Sequence, residues 1–249
     1  MVDNAAACIA AAGAITVLTG AGVSACSGIP TFREALTGIW ARYDSAELAT
    51  PEAFDADPER VSRWYDQRRR ALLRCEPNAA HHALVKLERL ARERGQSFTL
   101  ATQNVDALHA RAGSRGPLEL HGSLLRWRNT QSGAEIDASD PEAIATYPPR
   151  DADGGLLRPA VVWFGELPPE EAWRRAEAAA AACDVILVVG TSAAVYPAAG
   201  LIDTARAAGA TVIECNPEPA LTGRDVIRLA DAAEAVLPDL VDAVQSHAG

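Results

Sequence analysis

The chain has 249 residues, 49% of them hydrophobic, so it is long and apolar enough for a globular core and is not disordered. It carries 33 acidic and 23 basic residues, a net charge of −10, and shows no basic footprint for nucleic acid. The five cysteines are odd in number and form no C-x-x-C pair, which argues against a disulfide framework and a cysteine-rich metal site.

The N-terminal segment "MVDNAAACIAAAGAITVLTG" contains an apolar run that is preceded by acidic Asp3 and by no basic residue. The run is too short to span a bilayer and lacks the basic start of a secretory leader. Together with the cysteine usage, this predicts a cytoplasmic protein that binds neither membrane nor nucleic acid.

Five strands are predicted along the chain. The first, "AITVLTGAG", is β-branched and ends in glycines, which predicts a strand, a tight turn and then a helix. "SFTLATQN" is a second strand. "CDVILVVGTS" is a continuous apolar run, typical of a strand buried on both faces of a parallel sheet. "ATVIECNP" and "RDVIRLA" follow at the spacing of βαβ units.

Helices are predicted between and after these strands. An alanine-rich helix is expected near Pro197 to Ala208, and "AAEAVLPDLVDAVQS" predicts a closing helix. Strands that alternate with helices indicate an α/β fold, a Rossmann-type doubly wound parallel sheet with right-handed crossovers.

Two regions break this alternation. Residues 38–77 are predicted to be helical, centred on "PERVSRWYDQRRRALL", whereas residues 122–160 are polar, rich in Pro, Gly and Asp, and fit no sheet strand well. We expect both to form one small lobe inserted in the main domain. The main, nucleotide-binding domain then consists of residues 1–37, 78–121 and 161–249.

Polar or glycine-rich segments follow the predicted strands: "TGAGVSACSG", "TQNVD", "VGTS" and "CNPEP". In open α/β sheets, ligands bind at these carboxyl ends. Gly20 and Gly22 would let the backbone approach a diphosphate at a helix N-terminus, although glycines after strands also make ordinary tight turns. No acidic residue stands about 20 positions later at a strand end, so Asn216 and Glu218 are expected to hold the adenosine ribose. Arg33 would neutralise phosphate in bidentate fashion.

Six blocks occur in order between residues 20 and 218: "GAGVSACSGIPTFR", "TQNVDALHARAG", "LHGSL", "VVWFGE", "GTSAAVYPA" and "CNPEP". In combination they resemble the signature blocks of the sirtuins, the NAD-dependent protein-lysine deacylases. The resemblance implies NAD as the cofactor and acylated proteins or peptides as substrates. It also implies nicotinamide and O-acyl-ADP-ribose as products.

The resemblance gives His121 the role of general base on a ribose hydroxyl, for which the ordinary histidine pKa of about 6.5 is suitable. A hydrogen-bonded core histidine is the alternative for any single histidine. Asn104 is implied to be catalytic and, with Asp106, to bind the nicotinamide ribose and carboxamide, with Gln103 lining the same pocket. The remaining implied cofactor residues are Gly20, Ala21, Gly22, Ser24, Thr31, Phe32, Arg33, Gly190, Thr191, Ser192, Asn216, Glu218 and Ala233.

"VVWFGE" and "AAVYP" resemble the two segments that hold a substrate peptide. An extended peptide would add between them as a strand through main-chain hydrogen bonds, a mode that reads little sequence. The side chains implied here are Val162, Trp163, Phe164, Gly165, Val195 and Tyr196.

"WYDQRRR" bears on the acyl group. Tyr65 and Arg68 are spaced i, i+3 and share a helix face, and the pair is similar to the signature of desuccinylase-type sirtuins. A carboxylate-terminated acyl chain needs a guanidinium fork and a hydroxyl donor. Ala35 would keep the pocket wide. The pattern favours succinyl or malonyl groups, with acetyl also accepted; the alternative is a solvated arginine-rich helix face.

The cysteine pairs with which most sirtuins hold a structural zinc are missing. Alignment places the expected ligands at Asn129, Ser132, Arg150 and Asp153, which are not the thiolate or imidazole set that zinc prefers. We therefore expect no zinc. Shortening with partial disorder is one way to offset its absence. An apolar cluster is the other, made of Trp127, Ile136, Ile144, Tyr147 and Leu156.

Two other functions fit the same blocks. One is an NAD glycohydrolase or ADP-ribosyltransferase on the same scaffold, and an intact "VVWFGE" peptide segment argues against it. The other is a non-catalytic NAD sensor, against which the retention of His121, Asn104 and Asp106 argues. The sequence gives no indication of the oligomeric state.

Overall fold

The computed structural model describes residues 1–29 and 48–247. Its main sheet has six parallel strands: β1 (Ala14–Thr19), β2 (Ser97–Thr102), β3 (Leu118–Glu119), β7 (Val185–Val189), β8 (Thr211–Cys215) and β9 (Val226–Leu229). Their order in the sheet is β3-β2-β1-β7-β8-β9. This confirms the predicted doubly wound fold.

Helices cover both faces of this sheet. The helices are α1 (Val2–Ala11), α2 (Pro51–Ala56), α3 (Pro58–Leu72), α4 (Ala79–Glu93), α5 (Leu108–Ala112), α6 (Glu170–Ala182), α7 (Gly200–Ala207) and α8 (Ala233–Ser246). Alternate side chains of β1 pack in the two layers: Val17 packs with α1, α4 and α8, and Leu18 packs with α6 and α7. None of the helices in the described part of the chain is both long and apolar enough to cross a membrane.

The strand order reverses between β1 and β7. From β1 the chain proceeds outward to β2 and β3, and from β7 it proceeds in the opposite direction to β8 and β9. The loops after β1 and β7 therefore diverge and leave a crevice at the carboxyl ends of the strands, where open α/β sheets bind ligands.

A second sheet lies in residues 122–161, most of which were predicted to contain no strand. β4 (Gly122–Asn129), β5 (Glu135–Asp137) and β6 (Leu157–Val161) pair antiparallel in the order β5-β4-β6. The prediction that residues 122–160 fit no sheet strand was wrong. A shift of register between Ser123 and Trp127 interrupts the period-two alternation of β4, which masks its strand pattern.

The second sheet, α2 and α3 share one apolar core. The apolar cluster expected from the sequence forms there. Trp127 and Ile144 are fully buried, and Ile136, Tyr147 and Leu156 pack against the same core as half-buried side chains. Burial of this apolar surface stabilises the lobe.

Arg69 of α3 anchors the segment that follows β5. Its side chain is completely buried. Nη1 donates to the carbonyls of Ala138 at 2.5 Å and Asp140 at 2.7 Å, and Nη2 donates to the carbonyl of Pro141 at 2.9 Å. These carbonyls lie outside any strand, so the guanidinium satisfies acceptors that would otherwise be buried and unpaired.

Asp66 compensates the buried charge of Arg69. Its carboxylate accepts hydrogen bonds from Arg69 Nε at 2.7 Å, from Arg70 Nε at 2.8 Å and from the hydroxyl of Tyr147. Burial raises the pKa of Asp66, but these hydrogen bonds outweigh it and hold the pKa below its usual range. α3 is thus tied to residues 138–147 by a satisfied polar network.

The residues aligned with zinc ligands are engaged in turns. Asn129 Oδ1 accepts from the backbone N–H of Ser132 at 2.9 Å, and its Nδ2 donates to Asp151 at 2.6 Å. Asp151 also accepts from the backbone N–H of Asp153 at 3.1 Å, and Arg150 donates to the carbonyl of Gly154 at 2.7 Å. A set of one amide, one hydroxyl, one guanidinium and a single carboxylate does not fit a structural zinc, which takes four thiolate or imidazole ligands. Across residues 1–29 and 48–247, no three His, Cys, Asp or Glu side chains are grouped to hold a metal ion.

Candidate active site

The loops after β1, β7 and β8 are joined by backbone hydrogen bonds. Gly22 N–H donates to the carbonyl of Gly190 at 2.8 Å, and Gly190 N–H donates to the carbonyl of Cys215 at 2.9 Å. A Cβ added to Gly22 would lie 2.7 Å from the Cα of Gly190. The glycines of the first loop therefore serve the mutual approach of two loops. The segment that begins after Gly20, Ala21–Ser27, is a 3-10 helix rather than the α-helix that a dinucleotide fold suggests.

Thr191 links three strand ends through its side chain and backbone. Gln103 Nε2, after β2, donates to Thr191 Oγ1 at 3.1 Å. Asn216 Nδ2, after β8, donates to the carbonyl of Thr191 at 3.0 Å. Two further predicted residues, Ser192 and Glu218, are exposed beside them. The structure thus brings hydroxyl and amide groups together along the crevice, while Ala233 is buried at the first residue of α8.

Asn104, Ser24 and Asp106 form a buried polar cluster under the first loop. Asn104 Nδ2 donates to the carbonyl of Gly20 and to Ser24 Oγ, both at 3.1 Å. Ser24 Oγ donates to Asp106 Oδ2 at 2.7 Å, and Asp106 Oδ1 accepts from the N–H of Leu108 at 2.9 Å. Burial raises the pKa of Asp106. The three side chains fix one another and hold the Asn104 amide in one orientation.

His81 supports this cluster from α4, and sequence analysis missed it. Its Nδ1 accepts from the backbone N–H of Asn78 at 3.2 Å, which leaves the ring proton on Nε2, 3.4 Å from Ser24 Oγ. Burial lowers the pKa of His81 to about 4, so the ring is neutral at pH 7. A signal was available, because Asn78 and His81 have the spacing of a capping box at the start of a helix.

His121 lies between β3 and β4, in contact with the end of β2. Its Nδ1 is 3.0 Å from the carbonyl of Gln103. Because a carbonyl can only accept, the ring proton is on Nδ1 and the lone pair is on Nε2. Burial lowers the pKa of His121. The arrangement is a neutral imidazole whose outer nitrogen is able to take up a proton.

The glycine after His121 is required by its surroundings. Gly122 has a φ of +77°, and a Cβ there would lie 2.0 Å from the carbonyl oxygen of Ala160. The backbone carbonyl of His121 also accepts from the N–H of Val162 at 2.9 Å. The "LHG" block thus places the catalytic candidate beside the predicted peptide segment.

Both predicted peptide segments expose large apolar side chains, and Trp163 is the exception. Phe164 is 52% exposed, Val195 44% and Tyr196 69%, which are unusual values for large apolar residues. Gly165 follows Phe164 in a turn with a φ of +86°. Trp163, in contrast, is buried and faces the core of the small lobe. Phe164, Val195 and Tyr196 therefore offer an apolar surface, to which Trp163 does not contribute.

Tyr65 and Arg68 lie together on α3, as their spacing predicts. Tyr65 Oη accepts from Trp163 Nε1 at 2.9 Å, and burial raises the pKa of Tyr65 to about 12. The Arg68 guanidinium lies 4.6 Å from the centre of the Trp64 ring, and burial lowers its pKa. Within the described ranges no carboxylate pairs with Arg68.

The three consecutive arginines of α3 have different surroundings. Arg69 is buried and bonded to Asp66, Arg70 binds the same carboxylate from a half-buried position, and Arg68 stacks on an aromatic ring. The alternative of a uniformly solvated arginine face is therefore wrong. Four predicted site residues, Thr31, Phe32, Arg33 and Ala35, lie outside the described residues.

Comparison with known proteins identifies relatives over nearly the whole chain. The model of the Sir2 family matches residues 20–197. An NAD-dependent protein deacylase of Thermus thermophilus is 55% identical over 205 residues, which cover 82% of this chain and 80% of the relative. One of Mycobacterium tuberculosis is 46% identical over 233 residues, 92% of this chain and 96% of the relative. The crystal structure of a Sir2 homologue in complex with NAD has a TM-score of 0.89 at 43% identity, covering 98% of this chain and 94% of that chain.

Proposed function

The chain belongs to the Sir2 family, and from this membership we propose that it removes acyl groups from protein lysine side chains in an NAD-dependent reaction. The observation that carries the proposal is the state of His121, a neutral imidazole with its lone pair on Nε2 at the carboxyl ends of the strands. A histidine of this kind is a suitable general base near pH 7. A module that only bound NAD would have no use for one.

The residues of the crevice fit a dinucleotide. Gln103 and Asn216 each keep one amide N–H, and Thr191 keeps its hydroxyl proton, as donors to the oxygens of ribose and diphosphate. Both N–H groups of Asn104 are engaged by Gly20 and Ser24, so its Oδ1 remains as an acceptor. Asp106 offers an acceptor for hydroxyl or carboxamide groups. When bound, NAD would supply the ribose carbon and hydroxyls that receive the acyl group. We propose that Asn104 and Asp106 orient the nicotinamide half and Asn216 and Glu218 the adenosine half.

His121 is proposed to take a proton from a hydroxyl group at Nε2. The resulting imidazolium carries its second N–H on Nδ1, and the carbonyl of Gln103 accepts from it at 3.0 Å. A fixed acceptor on Nδ1 keeps the ring in one tautomer and stabilises the positive charge that develops. Because burial lowers the pKa of His121, the proton is released again readily.

Acylated peptides are proposed to bind between Phe164 on one side and Val195 and Tyr196 on the other. These three large apolar side chains are exposed at the two segments that flank the site. A peptide that adds between them as a strand would cover them while bonding mainly through its backbone. Broad tolerance of substrate sequence follows from this mode.

Succinyl and malonyl groups are proposed as the favoured acyl groups, with acetyl also accepted. Arg68 supports this, because a half-buried guanidinium without a carboxylate among the described residues is suited to receive one from a ligand. Tyr65 adds a hydroxyl that stays protonated, since its pKa is raised to about 12. The pair matches the planar carboxylate at the end of such an acyl chain.

The replacement Arg68→Met tests this preference. Hydrogen bonds to charged groups contribute about 1.5–3 kcal/mol, so kcat/KM for a succinyl-lysine peptide should fall by roughly one to two decades. The value for the acetyl-lysine peptide of the same sequence should change little. Arg174→Met, which removes an exposed arginine paired with Glu171 on α6, is the control and should leave both values unchanged. Equal losses for both substrates in Arg68→Met would instead mean that Arg68 supports the helix.

A cytoplasmic location is also proposed. All five cysteines are free. Unpaired cysteines are usual in reducing compartments, where thiols stay reduced.

A further inference from the structure

A buried ion pair lies behind the peptide segment and outside the crevice. Arg158 of β6 is 8% exposed. Its Nη1 and Nη2 donate to the two carboxylate oxygens of Glu166 at 2.6 and 2.9 Å, and Nη2 also donates to the carbonyl of Val161 at 3.1 Å. No role for Arg158 was predicted from the sequence. The available signal was a cation within the apolar run "LLRPAVVW".

This ion pair contacts Trp163 at its ring and at its backbone. The guanidinium carbon of Arg158 lies 3.2 Å from the centre of the Trp163 ring, within the range of a cation–π contact. Glu166 Oε2 also accepts from the backbone N–H of Trp163 at 2.8 Å. Phe54 packs on the indole with the ring centres 5.3 Å apart. Backbone and ring are therefore both fixed, and the indole has one orientation.

The fixed indole determines how the hydroxyl group of Tyr65 can form hydrogen bonds. Trp163 Nε1 donates to Tyr65 Oη at 2.9 Å. An indole N–H donates and cannot accept, so Tyr65 cannot return its own proton to Trp163. The hydroxyl proton of Tyr65 must be directed to another acceptor. Arg68, on the same face of α3, is the neighbouring cation that would hold an acceptor of negative charge.

We propose that Arg158 is a positioning residue for acyl selectivity, which acts through Trp163 to keep the Tyr65 hydroxyl as a donor to the acyl carboxylate. The inference rests on the proposed preference for carboxylate-terminated acyl groups. A cation against the indole face also polarises the N–H, and hydrogen bonds in a chain strengthen one another. The cation–π contact of Arg158 with Trp163 and the hydrogen bond of Trp163 to Tyr65 therefore both favour donation of the Tyr65 hydroxyl proton to the acyl carboxylate.

The test compares succinyl-lysine and acetyl-lysine peptides of one sequence with Arg158→Lys. Lysine keeps the positive charge for Glu166 but has neither the planar stack nor the second hydrogen bond. We expect kcat/KM for the succinyl peptide to fall five- to tenfold and that for the acetyl peptide to change less than twofold. Arg174→Lys, an exposed arginine paired with Glu171, is the control and should leave both values unchanged.

A double-mutant cycle separates positioning from mere support of the fold. In a Tyr65→Phe background there is no hydroxyl to orient, so Arg158→Lys should then lower the succinyl value less than twofold. If Arg158→Lys does not fold, Arg158→Gln replaces it, and kcat/KM for both peptides is measured with and without Tyr65→Phe. Equal losses for both peptides, or an undiminished succinyl loss in the Tyr65→Phe background, would overturn the proposal.

The Arg68→Met result keeps the two proposals distinguishable. If Arg68→Met leaves the ratio of succinyl to acetyl activity unchanged, the proposed acyl preference is wrong. If Arg68→Met lowers that ratio and Arg158→Lys does not, the acyl preference stands and the role of Arg158 alone is rejected.

Discussion

At the residue scale, one contact of His121 determines which ring nitrogen carries the lone pair, and a second contact holds its backbone. The carbonyl of Gln103 holds the proton on Nδ1, and the N–H of Val162 holds the backbone of His121 from the other side. Gly122 lets the chain turn without a clash against Ala160. The proposed base is thus positioned by backbone groups that directly follow β2 and β6, which side-chain substitutions do not remove.

The pH dependence of the reaction should reflect the lowered pKa of His121. Burial shifts this pKa below its ordinary value of about 6.5, so His121 stays neutral and active at pH values where an exposed histidine is largely charged. The acid limb of the profile of kcat/KM against pH should therefore have its midpoint below about 6.5. Unfolding followed at the same pH values would show that the chain is folded there. A midpoint above 6.5 would contradict this assignment.

The sequence identified the members of the site but not how they act. His121, Asn104, Asp106 and Tyr65 follow from motif and spacing. The tautomer of His121 does not, because it depends on a carbonyl 18 residues away in the chain. Trp163 was expected to line the peptide groove and faces inward instead. The chain turns directly after Trp163, so buried Trp163 and exposed Phe164 point to different surroundings although they are neighbours in sequence.

At the scale of elements, α3 serves two purposes on two faces. Tyr65 and Arg68 lie on the face proposed to receive the acyl group, and Asp66 and Arg69 hold the segment after β5. The tie through Arg69 is local and polar, and it lies within the same lobe as the apolar cluster around Trp127. A helix so anchored is a rigid support for specificity residues.

Removal of Arg69 should destabilise the lobe. In Arg69→Met, the buried carboxylate of Asp66 loses a partner and three carbonyls lose their donor. Breaking a buried ion pair by removing one partner costs about 3–5 kcal/mol, and we expect the free energy of unfolding, measured with urea, to fall by that amount. Arg174→Met, which breaks an exposed pair with Glu171 on α6, should change it by less than about 1 kcal/mol. A value for Arg69→Met as small as that of the control would show that the network contributes little.

The zinc-free lobe stays a prediction that elemental analysis decides. Purified protein should contain no stoichiometric zinc, and a chelator should leave the Tm unchanged, because Asn129 and Asp151 bind each other and the backbone. A metal-dependent lobe would lose folding free energy with its ion. One zinc per chain would mean that the alignment of residues 129–153 is wrong.

The strands of the main sheet are clearest in the sequence where burial is two-sided. β1, β7 and β8 are buried almost throughout, whereas β2 and β9 are buried only in part and were predicted from the turn signals and the βαβ spacing around them. The second sheet was missed, because one-sided burial and an irregular register dilute its pattern. Its pairing also joins residues far apart in the chain, such as Asn129 and Leu157, which local patterns do not reveal.

At the scale of the whole molecule, the site is built where the two sheets meet. The six-stranded sheet supplies the crevice and His121, and the small lobe supplies Tyr65, Arg68 and the support of Trp163. Backbone hydrogen bonds join the two parts, including Leu124 N–H to the carbonyl of Val105 at 2.9 Å. NAD chemistry and acyl selectivity are therefore assigned to different parts of one chain.

The most direct test incubates the protein with NAD and a panel of acyl-lysine peptides and measures the products by mass spectrometry. The account predicts deacylated peptide, nicotinamide and O-acyl-ADP-ribose in equal amounts, with succinyl and malonyl peptides ahead of acetyl. His121→Ala should abolish these products while the Kd for NAD stays within about twofold, since a general base contributes about 10²–10⁴-fold to rate. His82→Ala, an exposed histidine on α4, is the control and should be fully active. Nicotinamide released without acyl transfer, or deacylation by His121→Ala at the wild-type rate, would contradict the account.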